Sequence, residues 1–208
     1  MTAAEKLTRS AAALDVELTE QQCDRLLRYM GLMQKWNRTY NLTAIRNEAD
    51  MLTHHLLDSL SVVPHLVGHT IADIGSGGGL PGIPIAIARP DTSVTLVAAV
   101  QNKGAFLRQA AIEVGLKNVT VVATRVEEWR PNVLFDFVIS RAFAQLRDFL
   151  SVAEHVCAPG GLLAAMKGVF PQEELDAVPT GFHVTRTIAL EIPGLAAERH
   201  LILVKRDE

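Results

Sequence analysis

Aromatic residues make up only 5% of this 208-residue sequence, and cysteine occurs twice. The two cysteines, Cys23 and Cys157, stand far apart and form no metal-ligand spacing. Buried thiols in a reducing compartment are expected, with no disulfide and no metal site. Long apolar runs are missing too: none reaches the roughly 18 residues that a bilayer span needs. The N-terminal stretch MTAAEKLTRSAAALDVEL carries Glu5 and Asp15 and has no apolar core, so it does not read as a secretion signal and a cytoplasmic protein is expected. An excess of positive charge is also absent. The formal net charge of −3 excludes a generally basic coat, so any nucleic-acid contact must come from a local patch.

What is present is an ordinary globular composition, 49% hydrophobic and 21% charged, enough for one domain with a good core and an elaboration. Residues 1–67 read as a helical cap. Leu7, Ala11 and Leu14, then Cys23, Leu26, Leu27, Met30, Met33 and Trp36, recur at helical spacing. Thr19 and Gln22 form a capping box for the second helix, which should stop in the polar stretch Asn37–Asn41. A third helix is expected from about Glu48 to Val63, closed by Pro64. From Gly68 to Glu208 the pattern alternates. Expected strands are Thr70–Ile74, Ser93–Ala98, Val119–Ala123, Phe135–Ser140, Gly161–Lys167, Phe182–Leu190 and His200–Lys205. Helices such as Lys103–Val114 and Leu146–Val156 separate the early ones. Single helices between strands imply a mainly parallel sheet covered on both faces. The last two strands have no clear helix between them, only Glu191–Gly194, so an antiparallel edge hairpin is expected.

The densest signal is IADIGSGGGLPGIPIAIA, from Ile71 to Ala88. A short apolar run meets a glycine cluster and an apolar helical pattern follows at once. This is a strand feeding a tight turn into a helix N-terminus, where free backbone N–H groups can hold a ligand. The turn alone leaves the ligand open. A dinucleotide fingerprint would put its third glycine at Leu80, so that match fails. Asp73, ahead of Gly75, Gly77 and Gly79, gives the acidic-x-Gly-x-Gly-x-Gly order of S-adenosylmethionine (SAM) sites. Ligands in open α/β sheets lie beyond the carboxyl ends of the strands. Four of the first five strand ends carry polar or charged residues, among them Asp73, Arg125, Glu127, Arg141 and Lys167. Taken singly, each reads as a solvated strand end.

The run Gly75–Pro84, GSGGGLPGIP, resembles the G-x-G-x-G-L/F-P-G-I/V-P signature of the bacterial 16S rRNA guanine-N7 methyltransferases, also called glucose-inhibited division protein B. Further matches follow in order: Trp36-Asn37, Asn41–Ile45, His55–Leu60 (HLLDSL), Ser140–Ala144 (SRAFA), Lys167-Gly168 and Glu198–His200. The resemblance implies a Rossmann-like SAM-dependent methyltransferase fold with a mostly parallel seven-stranded sheet, and methyl transfer from SAM to guanine N7 of 16S rRNA in the small ribosomal subunit. A monomer is expected. By motif position, Gly75 and Leu80 would contact SAM, and Asp73, Gly77 and Gly79 would shape the same pocket. Val126 and Glu127 would sit beside the adenine, and Arg141 near the methionine end or the incoming RNA. Guanine N7 already has a free in-plane lone pair, so no general base is expected and catalysis is mostly alignment, with reacting atoms about 3 Å apart. Arg141 and Lys167 are the substrate-positioning candidates. Arg125, Arg141, Lys167, Arg199 and His200 are the RNA-binding candidates, with Phe143, Trp36, Tyr40 and Phe170 as the few possible stacking rings. His54 and His55 read as helix packing or caps.

Two positions depart from that pattern. Where the resemblance implies an acidic residue for the SAM ribose, this chain has Ala98, and where a basic pair is expected it has Asn102-Lys103. Losing a charge-assisted contact costs about 1.5–3 kcal/mol. Either Glu127 or water compensates, or binding is weakened. The alternative is a non-catalytic ribosome-binding or RNA-binding factor that keeps the fold. A nicotinamide-dependent oxidoreductase would need both the missing acid and the missing third glycine.

Overall fold

The computed structural model describes residues 1–208. Helices α1 (Ala3–Ala13) and α2 (Glu20–Tyr40) open the chain, each on a capping box. In α2, Thr19 Oγ1 accepts from the Gln22 N–H at 3.1 Å, and Gln22 Oε1 accepts from the Thr19 N–H at 2.9 Å. This reciprocal pair satisfies two donors that the first turn leaves free. α2 stops at Asn41, which takes a left-handed φ of 49° that asparagine tolerates better than most residues. Just before the stop, Asn37 turns inward and bonds the Thr43 backbone at both its N–H and its carbonyl, each at 2.9 Å.

The expected third helix is not a regular one. It runs as α3 (Glu48–Met51), a π-helical turn Leu52–Leu57, and α4 (Asp58–Leu60), followed by a 3-10 turn Val63–His65 that includes Pro64. The apolar spacing fits an α-helix, but side chains inside the turn are fastened to fixed partners. Thr53 Oγ1 donates to the Ala49 carbonyl at 3.2 Å, and His55 Nε2 lies 2.7 Å from Thr43 Oγ1. A π turn takes up an extra residue and shifts everything after it around the helix axis. The shift brings Asp58 inward, to 2% exposure.

The sheet has seven strands: β1 (Thr70–Ile74), β2 (Ser93–Val97), β3 (Val119–Val122), β4 (Phe135–Ser140), β5 (Cys157–Lys167), β6 (Phe182–Ala189) and β7 (His200–Arg206). Their order is β3-β2-β1-β4-β5-β7-β6. The first five pair in parallel, and β7 is antiparallel to both β5 and β6. This is the mostly parallel sheet with an antiparallel edge. β2, β3 and β6 each end one residue sooner than expected. β5 begins earlier, at Cys157 rather than Gly161, because the Pro159–Gly161 stretch is absorbed as a register shift opposite Phe135–Phe137 instead of ending the strand.

Helices α5 (Gly82–Ala88), α6 (Gln101–Val114), α7 (Leu146–Ala153) and α8 (Gln172–Asp176) connect the strands. α6 starts two residues ahead of Lys103, and α7 passes into a 3-10 turn, Glu154–Val156. One apolar cluster of 38 residues holds Leu7, Leu26 and Met33 of the cap together with Ile71, Ile83 and Leu96 of the sheet and α5. The cap therefore shares its core with the α/β part. A second cluster, with Phe149 and Leu150 of α7, covers the other face. Both cysteines are free and buried. No helix is long and apolar enough to cross a membrane.

Candidate active site

β1 and β4 are neighbours, but the chain leaves them toward opposite sides of the sheet, so their carboxyl ends form the switch point where such sheets hold ligands. The glycine turn lies there. Gly75 and Ser76 donate their N–H groups to the Val97 carbonyl at 2.9 and 3.0 Å, which fixes the turn against β2. Gly75 has a φ of +71°, and a Cβ there would lie 2.9 Å from that of Ala142. Both the backbone angle and this close approach require glycine. From the other side, Ser140 Oγ donates to the Ile74 carbonyl at 2.7 Å and accepts from the Ala142 N–H at 3.1 Å. The ends of β1 and β4 are thereby stapled together.

The cap holds the rest of the turn. Tyr29, fully buried on α2, donates its hydroxyl to the Gly78 carbonyl. Burial raises the Tyr29 pKa well above its usual value, so this donor keeps its proton. Gln22 Nε2 reaches the Ile87 and Ala88 carbonyls at 3.1 and 3.3 Å and caps the end of α5. Asp73 is completely buried beneath the turn. Its Oδ2 accepts from the Gly82 N–H at 2.9 Å, while Oδ1 has no partner. Burial pushes the Asp73 carboxyl up to about 8, against the pull of the Gly82 amide and the Arg141 charge.

Two cavities open at this rim. The smaller, about 180 Å³, is lined by Gly75, Thr124, Arg125, Val126 and Glu127, with apolar walls from Ile74, Val97 and Phe143. The larger, about 340 Å³, gathers Arg141, Lys167, Arg199 and His200 with His54, His55 and Asp58. The structure thus brings Arg141, Lys167, Arg199 and His200 together and puts Arg125 elsewhere, in the smaller cavity. Gly77, Gly79 and Leu80 belong to the turn and line neither cavity. Ala98 is 2% exposed. Its N–H still donates to the Val122 carbonyl at 3.0 Å, and its side chain joins the cluster that holds Leu96, Phe106 and Leu107. Its neighbours Val97 and Ala99 line the smaller cavity instead.

The cations differ in how committed they are. Lys167 Nζ is 2.8 Å from Glu174 Oε2 and donates to the carbonyls of Phe143 and Ala144 at 3.3 and 3.0 Å. Glu174 Oε2 also accepts from the Leu146 N–H at the start of α7. Lys167 therefore ties β5 to the Phe143 wall, and its charge is spent on Glu174. Asp58 carried no assigned role in the sequence, although it lies inside the HLLDSL match. Its Oδ2 accepts from Arg141 Nη1 at 3.0 Å, and its Oδ1 lies 3.3 Å from Arg199 Nε, an ion pair without hydrogen-bond alignment. One buried carboxylate thus holds two guanidinium groups in the larger cavity. His55 is buried among them, and burial together with Arg141 pushes its pKa down to about 4.

Comparison with known proteins agrees with this architecture. Residues 22–202 match the family described as rRNA small subunit methyltransferase G (GidB). The chain is 51% identical to the ribosomal RNA small subunit methyltransferase G of Nitrosospira multiformis, over 99% of both chains. Against the protein of that name from Chromobacterium violaceum it is 52% identical, over 95% of each. Among solved structures, the glycopeptide N-methyltransferase MtfA complexed with S-adenosylhomocysteine superposes with a TM-score of 0.62 at 10% identity, covering 74% of this chain and 87% of that one. TrmN from Thermus thermophilus gives 0.58 at 19% identity, covering 82% and 53%. At such identities these two likenesses speak for the fold alone, a Rossmann-like methyltransferase fold. With a family match across most of its length and relatives at half identity, the chain belongs to the rRNA small subunit methyltransferase G family.

Proposed function

We propose that this chain transfers the methyl group of SAM to N7 of a guanine in 16S rRNA. The observation that carries the reading is one short segment that borders both cavities. Along one short segment after β4, Arg141 lines the larger cavity and Phe143 the smaller. A cofactor in one and a base in the other would meet across the end of β4, at the switch point of the sheet.

The residues present fit the cofactor. The smaller cavity pairs apolar walls suited to a flat heteroaromatic ring with one carboxylate, Glu127, and the buried Asp73 Oδ1 beneath the turn lacks a protein partner. In this reading Gly75 contacts the cofactor; Leu80, buried and off both cavities, supports the turn with Asp73, Gly77 and Gly79; and Val126 and Glu127 flank the adenine. Ala98 leaves β2 without an acceptor for the ribose, so Glu127 is the carboxylate left to serve that end. When bound, SAM supplies an electrophilic methyl group on a sulfonium.

The chain's own residues then have a positioning task. Guanine N7 has its lone pair free, so no proton must be taken before attack. His55, neutral at physiological pH and bonded to Thr43, is not required as a base. Guanine O6 accepts hydrogen bonds from arginine readily. Arg141 and Arg199, held by Asp58, are placed to hold O6 or a neighbouring phosphate and leave N7 open. Low-dielectric walls strengthen such contacts.

The substrate in this reading is rRNA of the small ribosomal subunit, and the enzyme is a cytoplasmic monomer. The test is transfer of labelled methyl from SAM to small subunits from cells lacking the modification, with the labelled base mapped. Label at one guanine N7 supports the proposal. If the natural chain fails and Ala98→Glu succeeds, the site is right and the ribose anchor is deficient. If both fail, the non-catalytic RNA-binding reading, which Ala98 alone favours, replaces it.

A further inference from the structure

Directly after β5, Val169, Phe170 and Pro171 form a short apolar run on the surface, with Val169 72% and Phe170 39% exposed. Apolar surface left in water is unfavourable, and the only other comparably exposed aromatic residue is Tyr40, at 43%. Phe170 is nonetheless held in place. Its ring centroid lies 5.3 Å from that of His200, edge-on at 73°. His200 in turn is fixed by a 2.7 Å bond between Nδ1 and the Gly168 carbonyl. Lys167 and Glu174 pin the two ends of the segment, and the Gln172 N–H donates to the Phe170 carbonyl at 3.1 Å. The ring therefore stands pre-set at the rim of the larger cavity, which His200, Gly168 and Arg199 line. Its other side opens on a wide groove of about 800 Å³.

We propose that Phe170 is a stacking platform for the unpaired nucleotide next to the target guanine, so that the enzyme takes its guanine from single-stranded RNA. This rests on the RNA-methylation reading above and adds the form of RNA that the site accepts. Local charge selects RNA as the occupant. Asp58 is the only carboxylate lining the larger cavity and pairs with both Arg141 and Arg199, which leaves a surplus cation in that cavity in a chain of net charge −3. That surplus matches the phosphate joining a guanine in the cavity to a neighbour on Phe170. Within the groove, Arg147 shares the lining with Glu173 and Glu174, so attraction for phosphate is weak there. Stacking, not charge, is what the groove side offers. A ring already fixed loses little freedom when a base lands on it. Both faces of a base inside a duplex are covered by its neighbours, so a paired substrate must first unstack.

The experiment uses the full chain with Phe170→Ala, Phe170→Leu and Phe170→Tyr. Binding of a fluorescein-labelled, unpaired RNA oligonucleotide with a central guanine is followed by anisotropy at low and at raised salt. The KM for small subunits and the affinity for SAM are measured beside it. Removing a stacked ring should weaken oligonucleotide binding about fivefold to a hundredfold. The Ala and Leu variants should lose equally, Tyr should match the natural chain, and SAM affinity should not move. The loss should persist at raised salt, because ionic contacts fade there and stacking does not. Annealing a complementary strand across the guanine should abolish the advantage of the natural chain. Equal binding by Phe170→Ala overturns the proposal. So does Leu performing as well as Tyr, which would make the ring mere apolar cover, and so does equal binding of the duplex. Stacking without any methyl transfer would sink the functional reading and leave the platform standing; methyl transfer with no effect at Phe170 does the reverse.

Discussion

Replacing Asp58 with asparagine keeps the shape of the buried clamp and removes its charge. Oδ2 accepts a charge-assisted hydrogen bond from Arg141 at 3.0 Å, and Oδ1 faces Arg199 at 3.3 Å without good alignment. At an effective dielectric near 20, each contact is a gross attraction of about 5 kcal/mol before desolvation. Losing one partner of a fully buried ion pair costs about 3–5 kcal/mol. Here the guanidinium groups keep 30% and 26% of their side-chain exposure, so water can take over part of the lost partner's work. The loss should therefore fall to about 1.5–3 kcal/mol, the range of one charge-assisted hydrogen bond. For a chain of this size that lowers the thermal midpoint by about 3–12 °C. Two freed arginines also leave their positions in the cavity, so the KM for RNA should rise while the affinity for SAM changes little. Thermal melts, calorimetry with SAM and steady-state methyl transfer read the three quantities. An Asp58→Asn protein with an unchanged midpoint and unchanged KM would refute the clamp.

Lys167→Met should act through the Phe143 wall rather than through lost phosphate binding. It leaves the half-buried Glu174 with only the Leu146 N–H as a partner, so stability and SAM affinity should both fall, and a loss confined to RNA affinity would contradict the tie. Asp73 makes stability depend on pH. Its folded pKa lies above the unfolded value of 3.8, so the stability it contributes is complete below about 4 and is lost as pH rises toward 8. Thermal midpoints of the natural chain measured against Asp73→Asn should therefore fall across that window, and parallel curves would refute a buried, protonated carboxyl. Ala98→Glu should tighten SAM binding about tenfold or more, from about 1.5–3 kcal/mol of restored contact, provided the new carboxylate turns out of the apolar cluster toward the cavity that Val97 and Ala99 line. It should also lower the midpoint, since Ala98 sits in an apolar cluster; calorimetry showing unchanged affinity would discard the ribose argument.

The glycine turn was legible because its chemistry is local: strand, turn and helix lie within nineteen consecutive residues, and β1 has the expected ends. The capping box at Thr19 was local as well. The π turn at Leu52–Leu57 was not, because the spacing of its leucines also suits an α-helix and the bond that holds it runs from His55 to Thr43. The Asp58 clamp joins three distant segments. A lone aspartate in a helical pattern gives no sign that two arginines far along the chain will meet it. Arg141 and Lys167 looked alike as basic residues at strand ends. Only packing separates them: both line the larger cavity, but Lys167 is taken up by Glu174, while Arg141 shares its carboxylate with Arg199 and keeps 30% of its side chain exposed.

The place of β7 between β5 and β6 has a bearing on how the protein is made. Arg199 and His200 join the fold with this strand, after every other strand has been synthesised, and the partner of Arg199, Asp58, belongs to the first third of the chain. During synthesis the buried aspartate and Arg141 must wait for a third member that is still inside the ribosome. Contacts of such sequence separation close slowly. A nascent chain lacking β7 has no finished cationic cavity, because Arg199 and His200 are missing from its lining.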